Sequence, residues 1–289
     1  MLADFTNGAY GALEKQYSTY KSARIAILPI PYDGTSTWQK GANRGPQALL
    51  EASANMELYD IETNSEVYRQ GIVTMPPVEC PANPAAVANA VEASASQLLD
   101  DEKFVVGIGG EHSIAIGLVR ALHKRYPNLS VLQLDAHSDL RPEYEHSSYN
   151  HACVMARIRE ICPIFQAGIR SMDVTELPYL QKERVLFAHE WYNQPIDLER
   201  VLNSLTDEVY ITIDLDVFDP AFFPSTGTPE PGGLDWYAVN NLLRSVIERK
   251  RVVAFDVNEL LPNPYNKAPD FLAAKLVYRI LSMIFSKDN

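Results

Sequence analysis

The chain has 289 residues, 46% of them hydrophobic and 21% charged, the balance of an ordinary globular enzyme and enough for one large core. A formal net charge of −12 argues against nucleic-acid binding, which draws its affinity from clustered Lys and Arg on phosphates, and suits a small cationic partner. Neither a basic leader nor an apolar run of membrane-spanning length is present, and Cys80, Cys153 and Cys162 form neither a CxxC pair nor a disulfide ladder, so a cytoplasmic protein without membrane contact is expected.

In chain order, short β-branched apolar runs recur: ARIAILPI near residue 24, KFVVGIG near 103, LSVLQLD near 129, PIFQAGI near 163, ERVLFA near 183, VYITIDLD near 209 and RVVAFDV near 251. Runs of this kind without alternation read as strands buried on both faces. Amphipathic segments of helix length lie between them, over residues 85–100, 113–126, 235–250 and 268–285. Strand-helix alternation predicts an α/β fold with a parallel sheet layered by helices. Since linkers and repeats are absent, one domain over residues 1–289 is expected. The segment 217–233, VFDPAFFPSTGTPEPGG, carries four prolines and three glycines and reads as a rigid, shaped loop that lines a site.

Three of these strands end in polar clusters, and in open α/β sheets ligands bind beyond the strands' carboxyl ends. The first is GIGGEHS, where His112 stands in place of the third glycine of a dinucleotide fingerprint and Ser113 is positioned to cap the next helix. In LQLDAHSDL, residues Asp135, His137 and Asp139 alternate, and an extended backbone would point all three to one side. VYITIDLDVFD repeats the arrangement with Asp214 and Asp216. Taken singly, each aspartate reads as a helix cap or turn former. Together they demand a counter-ion, because two unit charges ~4 Å apart at an effective dielectric of ~20 repel by about 4 kcal/mol. Four aspartates and two histidines without cysteine favour a hard to borderline divalent ion such as Mn²⁺ over structural Zn²⁺. More oxygen donors than one octahedral ion can use point to two ions bridged by shared carboxylates. Such a pair lowers the pKa of water from ~15.7 towards ~7.

At these residues the sequence resembles the ureohydrolase family of arginase, agmatinase, formiminoglutamase and guanidinobutyrase. PYDGTSTWQKGANRGPQALLEAS, GGEHS, DAHSD, NHACVM, GIRS, IDLDVFDPAFFPSTGTPEPGGL and FDVNELLP occur in the family's order and span nearly the whole chain. The resemblance implies a three-layer α/β/α sandwich around an eight-stranded parallel sheet, although only seven strands are located above, and assembly into homotrimers or homohexamers. It implies one Mn²⁺ on His112, Asp135, Asp139 and Asp214 and a second on His137, Asp135, Asp214 and Asp216, with Asp135 and Asp214 bridging. His151, in YNHACVM, would relay protons to the leaving amine, a role suited to an imidazole titrating near neutrality. Glu259, in DVNELLP, would grip the substrate guanidinium, with Asp139 counted in the catalytic set and Asp173, just past GIRS, beside His151 and Glu259 as a substrate contact.

The reaction so implied is attack of hydroxide, generated between the ions, on a guanidinium carbon. Arginases carry a Ser-Gly-Asn-x-His stretch that reads the α-carboxylate, whereas this chain has Ser147-Ser148-Tyr149-Asn150 before His151, so agmatine is expected in preference to arginine, with putrescine and urea as products. Glu143 and Glu145, in the same loop, are placed to favour its free ammonium. Arginine, guanidinobutyrate, aminopropylagmatine and guanidine stay open as substrates, and a non-catalytic metal-binding protein is the rival from another class.

Overall fold

The computed structural model describes residues 8–193 and 195–286, so the ends of the expected 1–289 domain lie outside the described residues. These residues form an eight-stranded, all-parallel sheet: β1 Ile25–Ile30, β2 Ile72–Thr74, β3 Phe104–Gly109, β4 Leu129–Leu134, β5 Ile164–Ile169, β6 Val185–Phe187, β7 Glu208–Asp214 and β8 Arg251–Asn258. Seven are the runs located in the sequence. The eighth, β2, pairs with β1 at the sheet edge through only three residues, too few to register as a buried run.

Successive residues on a strand face opposite sides, and both sides here are apolar. Ile25, Ile27, Ile211, Ile213 and Phe255 pack under the helices Gly45–Ser53, Leu198–Ser204, Trp236–Arg249 and Ala268–Phe285. Ala26, Leu28, Val105, Val131, Tyr210 and Ala254 pack under Pro84–Asp100, Ala115–Arg125 and Val154–Ile158. The result is the expected α/β/α sandwich. Each fully buried Val, Leu, Ile or Phe contributes roughly 1.5–3 kcal/mol, so the strand ends rest on a rigid floor. Asn83 and Asp235 start two of the helices by accepting backbone N–H bonds from Ala85 and Ala238. Ser113 does no such capping: its hydroxyl donates to Glu111 at 2.6 Å, and a 3₁₀ turn, His112–Ile114, precedes the helix. Among the described residues no helix is long and apolar enough to cross a membrane.

The strand order β2-β1-β3-β8-β7-β4-β5-β6 shows how the site arises. One winding takes β1 out to β2 at the edge and back to β3, the other runs outward from β4 through β5 to β6, and the last two strands return to fill the middle. The gap between the windings therefore lies above β3, β8, β7 and β4, where a doubly wound sheet opens a crevice. All the polar clusters read from the sequence sit on the tips of these four central strands.

Candidate metal centre

Each tip turns sharply to aim its side chains. After β3, Gly110 passes so close to Tyr32 that a Cβ would lie 2.0 Å from the Tyr32 carbonyl oxygen; only glycine fits, and the turn delivers His112 into the crevice fully buried. After β4 the backbone does not stay extended as expected. Asp139 adopts φ 53°, and Glu259, just past β8, adopts φ 64°. Non-glycine residues in this left-handed region are strained, and such strain concentrates at functional sites. The Glu259 backbone is held there by its N–H, which donates to Gly110 O at 2.7 Å.

Hydrogen-bond donors orient three of the carboxylates. Asp135 Oδ1 accepts from His137 N at 2.6 Å and Oδ2 from the buried Gln133 amide at 2.7 Å. Asp214 Oδ1 accepts from Asp216 N at 2.9 Å, and Asp216 Oδ1 from Ala136 N at 3.0 Å. His112 Nδ1 then faces Asp135 Oδ2 at 3.0 Å, Asp139 Oδ2 at 3.1 Å and Asp214 Oδ2 at 3.7 Å. His137 Nδ1 faces Asp216 Oδ2 at 2.9 Å and Asp135 Oδ1 at 3.7 Å. Two triads follow, His112–Asp135–Asp139 and Asp135–His137–Asp216, the ligand atoms of each within 4.8 Å of one another. Asp135 belongs to both, one oxygen turned to each. Despite the close carboxylates, buried His112 Nδ1 has no hydrogen-bond partner, because the oxygens surround it out of line for an N–H donor. An orphaned nitrogen ringed by carboxylate oxygens fits a shared cation.

The electrostatics agree. Burial first, then Asp216 and Asp135, push the Asp214 carboxyl well above its ordinary value; burial and the Asp135 charge raise Asp139 to about 7. Burial and Glu111 raise Glu259 well above the usual carboxylate range. Burial works against protonated His112, yet Asp135 and Asp139 hold its pKa well above the ordinary imidazole value. The site is thus short of positive charge, which protons or cations supply.

Above the triads lies a cavity of about 290 Å³, whose lining includes His151, Glu259, Thr228, Arg141, Tyr144 and Asp173. His151 Nδ1 stands 3.9 Å from Glu259 Oε1. Its backbone N–H donates to Thr35 Oγ1 at 2.9 Å, and Thr35 is tied to buried Glu111 through a 2.7 Å bond from its own N–H, so the N-terminal loop and the His151 turn share one anchor. Burial, then the charges on His137 and His112, lower the His151 pKa to about 4. This corrects the expectation of titration near neutrality: the imidazole is neutral at pH 7. Asp173 lines the cavity, but its carboxylate caps the 3₁₀ turn Val174–Tyr179 by accepting from Thr175 N at 2.9 Å, and lies 3.6 Å from Arg141. Glu143 and Glu145 are exposed and outside the lining; Arg141, stacked 4.4 Å from the Tyr144 ring centroid, and Tyr144 face the cavity instead. The 217–233 loop contributes Thr228, as a site-lining loop should.

Several supporting residues escaped the sequence reading. Arg170, in GIRS, donates to the carbonyls of Gly168, Asp216, Val217, Phe218 and Glu230, pinning the β7 tip and the long loop together. Gln133 and Gln166 form a buried amide pair, 2.6 Å apart, that ends on Asp135. Thr212 and Asp256 lie below His112. For Gln133 and Thr212 a signal was present: each is a polar residue inside an apolar run, two positions before Asp135 or Asp214 on the same strand face.

A parallel α/β/α sandwich with clustered carboxylates and imidazoles in its central crevice defines a metal-dependent hydrolase class. More narrowly, the chain belongs to the arginase family, whose members depend on a binuclear metal centre, and is a ureohydrolase: residues 23–283 match that family. It is 38% identical to the N(1)-aminopropylagmatine ureohydrolase of Synechocystis sp., with 96% of this chain and 94% of that one covered. To the agmatinase of Pyrococcus horikoshii it is 32% identical, over 91% of this chain and 93% of that one. The agmatine ureohydrolase of Thermoplasma volcanium superposes with a TM-score of 0.85 at 30% identity, covering 100% of this chain and 97% of that structure.

Proposed function

We propose that this enzyme hydrolyses agmatine to putrescine and urea at a centre of two Mn²⁺ ions. One ion would be held by His112, Asp135, Asp139 and Asp214, the other by His137, Asp135, Asp214 and Asp216. The observation that carries this reading is the sharing of Asp135 between the two triads beneath a cavity that contains Glu259. When bound, paired divalent ions supply acidified water at neutral pH and polarise the substrate.

The chain's own groups do the rest. Glu259 Oε1 accepts the His112 backbone N–H at 2.8 Å, which fixes its carboxylate against the cavity floor. A carboxylate so held receives the planar guanidinium fork and orients its carbon over the metal ligands. Gly227 adds no side chain above it: a Cβ there would stand 3.8 Å from Glu259 Oε2. His151, neutral at pH 7 and 3.9 Å from Glu259 Oε1, would take at a ring nitrogen the proton that water releases on adding to the guanidinium carbon and pass it to the amine as the C–N bond breaks. Asp173, half-exposed at the mouth, would meet the distal amine.

N(1)-aminopropylagmatine is the second reading, favoured by the name of the relative at 38% identity. The test is metal analysis of purified enzyme coupled to urea release from agmatine, aminopropylagmatine, arginine and guanidinobutyrate. Two Mn²⁺ per chain and the highest kcat/KM on agmatine are expected. Highest kcat/KM on the aminopropyl compound transfers the assignment to it, and preference for arginine or guanidinobutyrate overturns both.

A further inference from the structure

A buried polar column stands beneath His112, on the sheet face covered by the helix Ala115–Arg125. β7 and β8 pair Thr212 with Asp256 and Asp214 with Asn258, and alternation sends Tyr210, Thr212, Asp256 and Asn258 to that one face. Thr212, Asp256 and Asn258 are fully buried. The neighbouring strand β3 leaves room for them through two glycines. A Cβ at Gly107 would lie 2.9 Å from Asp256 Cβ, and one at Gly109 would lie 1.9 Å from Asn258 Oδ1. Glycine weakens a strand interior and marks close approach, and here both fall opposite the polar column.

Three donors converge on Asp256. Thr212 Oγ1, at 2.7 Å, and the Asn258 amide reach Oδ1, and the Tyr210 hydroxyl reaches Oδ2. Burial raises this carboxyl to about 7, while the positive charge at His112 and the Asn258 amide work downward; a metal cation at His112 acts in that same downward sense. The Thr212 hydroxyl has one proton, and donated to Asp256 it leaves the oxygen's lone pairs towards His112 Nε2, 2.8 Å away. Nε2 then carries the imidazole hydrogen. In the neutral ring Nδ1 keeps its lone pair, aimed between the oxygens of Asp135 and Asp139, which stand 3.0 and 3.1 Å off.

We propose that Asp256, acting through Thr212, is a positioning residue that fixes His112 as the Nε2–H tautomer and so makes Nδ1 a ready metal ligand. The proposal rests on the reading of His112 as a ligand. A charged group behind a ligating imidazole fixes its tautomer and ring orientation, and loss of such a partner costs about 10-fold to 100-fold in metal affinity.

The test is Mn²⁺ titration of chelator-stripped full-length protein, reading free Mn²⁺ by electron paramagnetic resonance. Thr212→Val, which keeps the shape and removes the hydroxyl, is expected to weaken one of the two Mn²⁺ equivalents by about 10-fold to 100-fold and spare the other. Thr212→Ser, which keeps the hydroxyl, binds as the unsubstituted protein does. Asp256→Asn weakens the same equivalent in the native background and adds nothing to Thr212→Val, since both cut one relay. Thr212→Ala replaces the valine variant if that one does not fold. Unchanged affinity in the hydroxyl-free variant overturns the proposal, and so does an Asp256→Asn loss that adds in full to it. Failure of the unsubstituted protein to bind Mn²⁺ overturns the metal-centre reading itself, a different outcome from either of these.

Discussion

The floor and the mouth of the cavity are built by different means. His112, Asp135, Asp214, Asp216 and Glu259 come from the tips of four adjacent strands and are buried; backbone donors grip the four carboxylates, and His112 is held through its bonds to Glu259 and Thr212. Arg141, Tyr144 and Asp173 come from loops, are only partly buried, and mainly hold one another. The floor's geometry is over-determined by a core that tolerates no shift, whereas the mouth can be rearranged at small cost in stability. Reaction chemistry therefore belongs to the floor and substrate choice to the mouth.

The comparison breaks first at Asp214. Asp214→Ala should abolish turnover and release metal, measured as urea production and bound Mn²⁺; a variant with unchanged rate and metal content would place the reaction elsewhere. His151→Ala is expected to lose about 10²-fold to 10⁴-fold in kcat with metal retained, and loss of metal would show the residue to be part of the floor's ligand set.

A pH measurement sharpens the same boundary. His151 has its folded pKa lowered from the ordinary 6.5 to about 4, so between these values the unfolded chain binds a proton that the folded chain refuses. Stability of the metal-free protein should fall as pH drops through that window. His151→Gln should lose this component of the slope, read by urea denaturation at a series of pH values; an identical slope in both proteins would mean that the imidazole is not buried as described.

At the mouth the effects shrink. Tyr144→Ala should change the ratio of kcat/KM between agmatine and aminopropylagmatine while leaving kcat on the better substrate nearly intact, and a collapse of kcat on both would erase the division between floor and mouth. Smallest is Asp173→Ala, with a slight fall in melting temperature from the lost cap and a change in KM without one in kcat. A large loss of kcat there would move Asp173 into the machinery.

The sequence by itself determined the strand-helix alternation, the rigid loop at 217–233 and the crowding of aspartates at strand ends. These are short-range facts: β-branched runs bury on both faces, and DAHSD or DLDVFD places charge within a few residues. The family likeness was legible in the same motifs. Strand β2 was not, because three residues at a sheet edge carry too little pattern. Only the tertiary structure decided that Asp139 reaches the centre through a left-handed turn, that Ser113 serves Glu111 and not a helix, and that His151 is neutral at pH 7. Nor could the chain alone show Thr212 and Asp256 meeting beneath His112. Distance, burial and field arise when strands far apart in sequence are brought side by side, and a pKa or a tautomer is a property of that assembled neighbourhood and not of the residue.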